Sequence, residues 1–293
     1  VDDRNARSTV SGMCDITMPY RVDIMLSASN YSKDEGGITR MMAIFSHLYD
    51  VESVGSIRSL RPYYLSVALS YDAIVIHAGG SEQAYSDVRT YNADHLDGVR
   101  DGNTSSMFYR DASRGQHGSE HTLFFHGANV EALVDQYKFR TEHESSYKTG
   151  LNFADNAVQQ CTGGAAANVQ VTFNTSKSTS FAYHADSGKY TAVQYKAEYK
   201  DGATGEAVPF TNLLILSADM KTVDSYGRLA VDLIGSGTGY FVTGGEYVPI
   251  KWSRSDINSC FTYTLEDGTA LNLSRGTTYV GVIPTNGGSA NFS

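Results

Sequence analysis

From about residue 168 onward the chain is a succession of short strand-like segments separated by turn-forming residues: "VQVTFN", "STSFAYHA", "KYTAVQYKAEY", "TNLLILSA", "GRLAVDLIG", "TGYFVTGG" and "EYVPIKW". A period of two puts one set of side chains on a core face and the other in solvent, the pattern of antiparallel strands. "CFTYTLEDGTALNL" carries such a run on each side of Asp267-Gly268, a dipeptide suited to a hairpin turn. A mainly antiparallel β domain is expected over 168–293. Within it "GSGTG" (Gly235–Gly239) lacks the GK[ST] ending and the following helix of a phosphate loop, so it reads as a bulge or tight turn between strands.

The preceding part has a different texture. "RVDIMLS" and "AIVIHAGG" have strand character, and "GGITRMMAIFS" is an apolar run opened by glycines. "RPYYLSVALSY" carries its proline at the start, where a helix accepts it. "SEQAYSDVR" reads as a short helix behind Ser81 as N-cap. In "NVEALVDQY", Val130, Leu133, Val134 and Tyr137 fall at i, i+3, i+4 and i+7, an amphipathic helix with Asn129 before it. "NADHLDGVRDGNTSS" and "RGQHGSEH" read as loops, and "MFYRD" as a short strand. The expectation is an α+β protein: a mixed α/β domain over 1–145, a linker over 146–167 rich in small and polar residues, then the β domain.

Charge and cysteine content exclude several functions. A net charge of −9 and a pI of about 5.3 argue against nucleic acid as a partner, because a phosphate backbone needs a wide basic surface. No run approaches the roughly 18 apolar residues of a membrane-spanning helix. Cys14, Cys161 and Cys260 are far apart without CxxC spacing, which excludes a cysteine zinc site; no metal and no cofactor is expected. One disulfide among the three is open. The chain begins at Val1 without a visible signal segment, as a mature or trimmed form would. Its 20 tyrosines, many small polar residues and few lysines have the texture of an exported surface protein.

The basic residues are unevenly placed. Arg40, Arg58, Arg61, Arg89, Arg100, Arg110 and Arg114 all fall between Lys33 and Lys138, and no lysine lies in that interval. The guanidinium fork grips a carboxylate or phosphate with two parallel bonds and is desolvated more easily than an ammonium. Arg58 and Arg61 precede the "PYYLSVALS" helix, and His77 ends the strand before Gly79-Gly80. These residues, with Arg40 and Arg110, are candidates for an anion-binding pocket. The same interval holds Glu35, Asp72, Asp111 and other acids, enough to pair every arginine internally, with Asp72 facing Arg58 or Arg61; clustering leaves both readings open. His77 and His117 are candidate acid/base groups with Asp111 or Glu35 as partner. His117 and His121 have the spacing of helical metal ligands, but Gly115 and Gly118 argue against a helix there. No serine lies in GxSxG. Trp252 and the tyrosines around it are candidates for a sugar platform or, more simply, for core packing.

"EGGITRMMAIF", "VGSIRSLRPYY", "YDAIVIHAGGS" and "FYRD", in this order and spacing, resemble the DUF3048 family, YerB-like bacterial lipoproteins of unknown function. The later "NLLIL", "GRLAVDLIGSGTGYFVTGGEYVPIKWSR" and "GTTYVGVIP" are similar to that family's C-terminal domain. Gly36, Gly37, Arg40, Arg58, Arg61, Tyr63, Asp72, His77, Gly79, Gly80, Arg110 and Asp111 match its motifs. Ser56 stands where the family usually has proline, and Gln116-His117-Gly118 where it has a Pro-His-Asn-like turn. The resemblance implies an extracytoplasmic protein, anchored in the membrane through a lipid on a cysteine upstream of Val1, and brings no activity with it. The expected partner is an anionic cell-envelope ligand or an envelope protein. A non-enzymatic binding role is favoured; the alternative is a hydrolase or transferase acting on wall glycans or phosphodiesters.

Overall fold

The computed structural model describes residues 23–32, 37–45 and 53–293. Strands dominate, and the three α-helices found among the described residues all lie between Pro62 and Tyr137. β1 (Asp23–Ser32) pairs antiparallel with β2 (Gly37–Phe45). β3 (Val54–Gly55) leads to α1 (Pro62–Ser70), β4 (Ile74–His77), α2 (Glu82–Tyr91) and β5 (His95–Asp97). β6 (Phe108–Arg110), β7 (Leu123–Phe125) and α3 (Val130–Tyr137) complete this part. One sheet has the order β2-β1-β4-β5, with β4 parallel to both neighbours, and a small antiparallel sheet has the order β3-β7-β6.

β4 is buried along its length because both faces of its sheet are covered. Ile74 and Ile76 join Leu133 and Val134 of α3 on one side, and Val75 joins Leu65 of α1 with Ala84 and Val88 of α2 on the other. Ser81 caps α2 as the sequence suggests, its hydroxyl accepting from the Ala84 amide at 3.2 Å. The "NADHLDG" stretch, read as loop, contains β5. Three residues, two of them polar, are too short for a period to register.

The second half is a sandwich. β8 (Asn152–Ala154) and β9 (Gly164–Ala165) precede β10 (Asn168–Asn174), β11 (Lys177–His184), β12 (Lys189–Gln194) and β13 (Ala197–Glu198). β14 (Asn212–Ala218), a hairpin of β15 (Met220–Thr222) and β16 (Leu229–Val231), β17 (Gly235–Thr243) and β18 (Glu246–Arg254) follow. β19 (Thr262–Leu265), β20 (Asn272–Ser274), β21 (Thr278–Pro284) and β22 (Ser289–Phe292) end the fold. The sheets have the orders β13-β12-β11-β10-β22 and β19-β18-β17-β14-β21. All pairs are antiparallel except β14 with β21 and β8 with β20. Between the sheets lie Val169, Phe181 and Tyr190 from one and Leu213, Ile215 and Val242 from the other.

Three details refine the sequence reading. The hairpin around Asp267-Gly268 forms, with Gly268 at φ 89° and Leu265 donating to Thr269 O at 2.8 Å. "GSGTG" is not a turn but the start of β17. A Cβ on Gly237 would come within 2.5 Å of the Trp252 indole, so the glycine lets that ring lie flat on the strand. Trp252 itself is core, its Nε1 donating to Ser217 O at 3.0 Å. The stretch 146–167 is packed in place: β8 pairs with β20, β9 with β18, and Ala157 and Cys161 are buried. Its small residues fit against a sheet face, which the composition of a tether also allows.

α1 joins the halves with two faces. Leu65 and Ala68 pack on the first half, while Tyr63 and Val67 pack on the outer face of the β14–β18 sheet. Tyr63, Ser66, Val67 and Ser70 fall at i, i+3, i+4 and i+7, one stripe of the helix. Arg254, 2% exposed at the end of β18, meets that stripe, donating to Ser66 Oγ (2.8 Å), Ser66 O (2.7 Å), Ser259 O (2.8 Å) and Ile257 O. Arg254→Ala should lower the urea-unfolding free energy by about 3 kcal/mol, because buried carbonyls lose their donors. Ser66→Ala should lower it by about 1 kcal/mol. An unchanged midpoint for Arg254→Ala would show that the joint does not depend on this tie.

Candidate functional site

The two motifs singled out in the sequence lie side by side. Ala78 N donates to Arg58 O (3.0 Å), Leu60 N to Gly79 O (2.9 Å) and Ser81 N to Leu60 O (3.2 Å). His77 closes β4 fully buried, on the face that carries Val75, and in the neighbouring strand His95 and Asp97 share that face. His77 Nδ1 lies 2.8 Å from Gly79 O, which only accepts, so neutral His77 carries its proton on Nδ1. Its Nε2 therefore accepts from His95 Nδ1 at 2.9 Å, which fixes the tautomer of His95 as well. Gly79 reaches both partners from a φ of 69°, its own N–H donating to Asp97 Oδ1 at 2.8 Å.

Asp97 also accepts from Val99 N (2.9 Å) and from the Tyr85 hydroxyl (2.5 Å). Burial disfavours its charge, but these hydrogen bonds outweigh it and hold the carboxyl below its usual range. Burial pushes His77 down to about 4, against the pull of Asp97, whose carboxylate stands 4.0 Å from Nδ1, beyond hydrogen-bond reach. His95, half-buried, is lowered too, burial being the largest cause. The expected acid/base partner of His77, Asp111, is elsewhere. It caps the following turn through Ser113 N (2.9 Å) and Ser113 Oγ (2.6 Å).

The arginines turn to main-chain carbonyls. Three consecutive ones are each held by a different residue: Arg110 Nη1 donates to Ser119 O (2.7 Å), Arg58 Nη1 to Glu120 O (2.7 Å) and Arg114 Nε to His121 O (3.1 Å). Arg110 Nη1 also reaches Thr122 Oγ1 at 2.8 Å. Arg61 donates to Leu60 O at 2.9 Å beside the start of α1. Arg40 lies in β2 opposite Ala28 and His117 in the turn before Gly118, with side chains outside the described set, as is Glu35. Asp72 faces neither Arg58 nor Arg61. It takes Arg140 in a two-pronged contact (2.6 and 3.2 Å), His143 Nδ1 (3.2 Å) and Glu144 N (3.0 Å), tying the 140–144 segment to the end of α1.

That segment borders a cleft of about 1350 Å³ between the halves. Its walls come from the C-terminal ends of α1 and α2, the 138–150 segment, the start of β17 and the Ser253–Thr262 region. Cys260, on this wall, donates to Ser70 O at 2.8 Å; burial raises its thiol, and burial raises buried Cys161 to about 12. Both are free, and both stay protonated and unreactive near neutral pH. Among the described residues no group of three or more His, Cys, Asp or Glu is placed to hold a metal ion. His95, Asp97, Tyr85 and Arg140 were missed as partners. The usable signal was the His-x-Asp spacing, which on a strand beside "IVIH" puts both side chains on the His77 face.

His77 makes stability pH-dependent. Its folded pKa of about 4 lies below the roughly 6.5 of an unfolded histidine. Between those values only the unfolded chain takes the proton, so stability is full above about 6.5 and falls by about 1.4 kcal/mol per unit as pH drops toward 4. Urea-unfolding free energies over this range should fall at least that steeply, since the lowered His95 adds in the same direction, and His77→Asn, weaker at pH 7, should reduce the slope. An identical slope in the variant would take His77 out of the effect.

The comparisons with known proteins agree with one another. Residues 23–140 match the family model described as "Protein of unknown function (DUF3048) N-terminal domain", and residues 169–280 match its C-terminal domain. A curated relative, "Putative lipoprotein YerB" of Bacillus subtilis (strain 168), is 27% identical over 255 residues, covering 85% of this chain and 72% of the relative. The crystal structure of the YerB protein from Bacillus subtilis superposes with a TM-score of 0.74 at 22% identity, over 93% of this chain and 94% of that one, and so has the same fold. The chain belongs to the DUF3048 family, with both its N-terminal and its C-terminal domain present.

Proposed function

We propose that the protein is an extracytoplasmic, membrane-anchored lipoprotein that acts as a non-enzymatic binding protein, with its ligand in the cleft between the halves. The relative's name supports the location. The observation that carries the binding role is the cleft itself, about 1350 Å³, built from both halves and bordered by two ties, Arg254 to α1 and Asp72 to Arg140. A ready-made concavity where an α/β unit meets a β-sandwich is a usual place for a ligand. Both ring nitrogens of His77 are engaged, Asp111 caps its own turn, and the thiols are held protonated, which favours binding over acid/base or nucleophilic chemistry. Arg58 and Arg110 hold carbonyls of one turn and so support a structural part for the first half's arginines.

The test is a low-salt thermal-shift panel of pyrophosphate, citrate, an acidic hexapeptide and neutral oligosaccharides, run on the wild type, Ser146→Trp and Arg58→Ala. Ser146 is exposed on the cleft wall, so a tryptophan there fills the space without touching the core. A probe at about 100 times its dissociation constant should add about 2.7 kcal/mol, roughly 5 °C in Tm, and Ser146→Trp should abolish the shift. A shift kept in Ser146→Trp and lost in Arg58→Ala would move the site to the arginine cluster.

A further inference from the structure

We infer that the ligand of this cleft is an uncharged, hydroxyl-rich chain, a glycan, lying across the open face of Tyr91; the inference rests on the cleft reading above. Tyr91 is the last residue of α2 and 41% exposed, and among the described residues its ring touches no other ring and its hydroxyl has no partner. Ile234, 43% exposed, lines the cleft from the other half. An aromatic face presented this way offers a broad apolar contact to the C–H face of a sugar ring, while the rim stays polar.

Charge points the same way. The lining holds four carboxylates and four basic side chains, so neither sign prevails. Several of them are already occupied. Arg140 is gripped by Asp72 and lies 3.2 Å from Glu144, Arg254 sits on carbonyls, and Asp256 accepts from Ser259 and Asn258 within its own turn. A polyanion or a cationic peptide gains little net attraction from such a surface. The remainder supplies hydroxyls and amides, among them Asn92 and Ser146, which donate and accept as sugar hydroxyls require. An extended peptide would look for successive apolar pockets for its side chains. The exposed large hydrophobics of this lining are Tyr91 and Ile234. Asn92, Ser146 and Ser255 are exposed, so the cleft is a trough that a chain can run through.

The experiment is calorimetric titration of the full chain with a neutral β-1,4-linked N-acetylglucosamine tetramer, beside pyrophosphate and an acidic hexapeptide. Wild type should bind the tetramer saturably. Tyr91→Ala should weaken binding about tenfold and Tyr91→Phe, which keeps the face, by less than about threefold. Ser146→Trp should abolish it. Equal affinity in Tyr91→Ala, or no saturation in the wild type up to about 10 mM, overturns the glycan inference. If pyrophosphate or the peptide binds instead and Ser146→Trp removes that binding, the cleft stands as the site and the glycan falls. If whatever binds is indifferent to Ser146→Trp, the cleft reading itself falls.

Discussion

The contact between Arg254 and α1 sets the arrangement of the rest. An arginine buried at the end of a strand needs acceptors fixed at several points of its fork, and here they are two atoms of Ser66 on a helix of the other half and two carbonyls of its own loop. Burial lowers the guanidinium to about 10, still protonated near neutral pH, so the joint carries a full charge held by dipoles. This binds α1 to two sheets at once, and the trough between the halves follows from it.

Main-chain carbonyls also receive guanidinium groups at Ser119, Glu120 and His121. A turn of 3-10 geometry leaves main-chain oxygens without regular partners. Guanidinium groups reach them from elsewhere in the fold, and at Ser119 O Arg110 adds to the Thr122 hydroxyl (2.8 Å) and amide (3.3 Å). The absence of lysine between Lys33 and Lys138 then has a structural sense, because a fork with fixed directions suits a fixed carbonyl better than a mobile ammonium does.

How much of this was legible in the sequence depends on range. A continuous apolar run announced β14, and period and turn chemistry the Asp267-Gly268 hairpin, the capped α2 and the amphipathic α3, because each is decided by neighbours within a few residues. The expectation of an α+β chain meets a structure that is mostly strand, with its helices confined to the first half. What could not be read are partnerships across long separations: His77 with His95, Asp72 with Arg140, Arg254 with Ser66. Arg58 and Asp72 were plausible partners by composition alone. Only the placement of the 140–144 segment decides that Asp72 is taken.

The lone tryptophan has a practical meaning. Trp252 lies flat on Gly237 inside the second half, two residues before the arginine that ties the halves together. Its fluorescence therefore watches the outer face of the β14–β18 sheet, where Tyr63 and Val67 of α1 pack beside the joint, and not the sheet around His77. An unfolding curve followed by tryptophan emission will match one followed by a first-half probe only when the two halves melt together. The protein thus carries its own gauge of whether two domains in sequence are one unit in cooperativity.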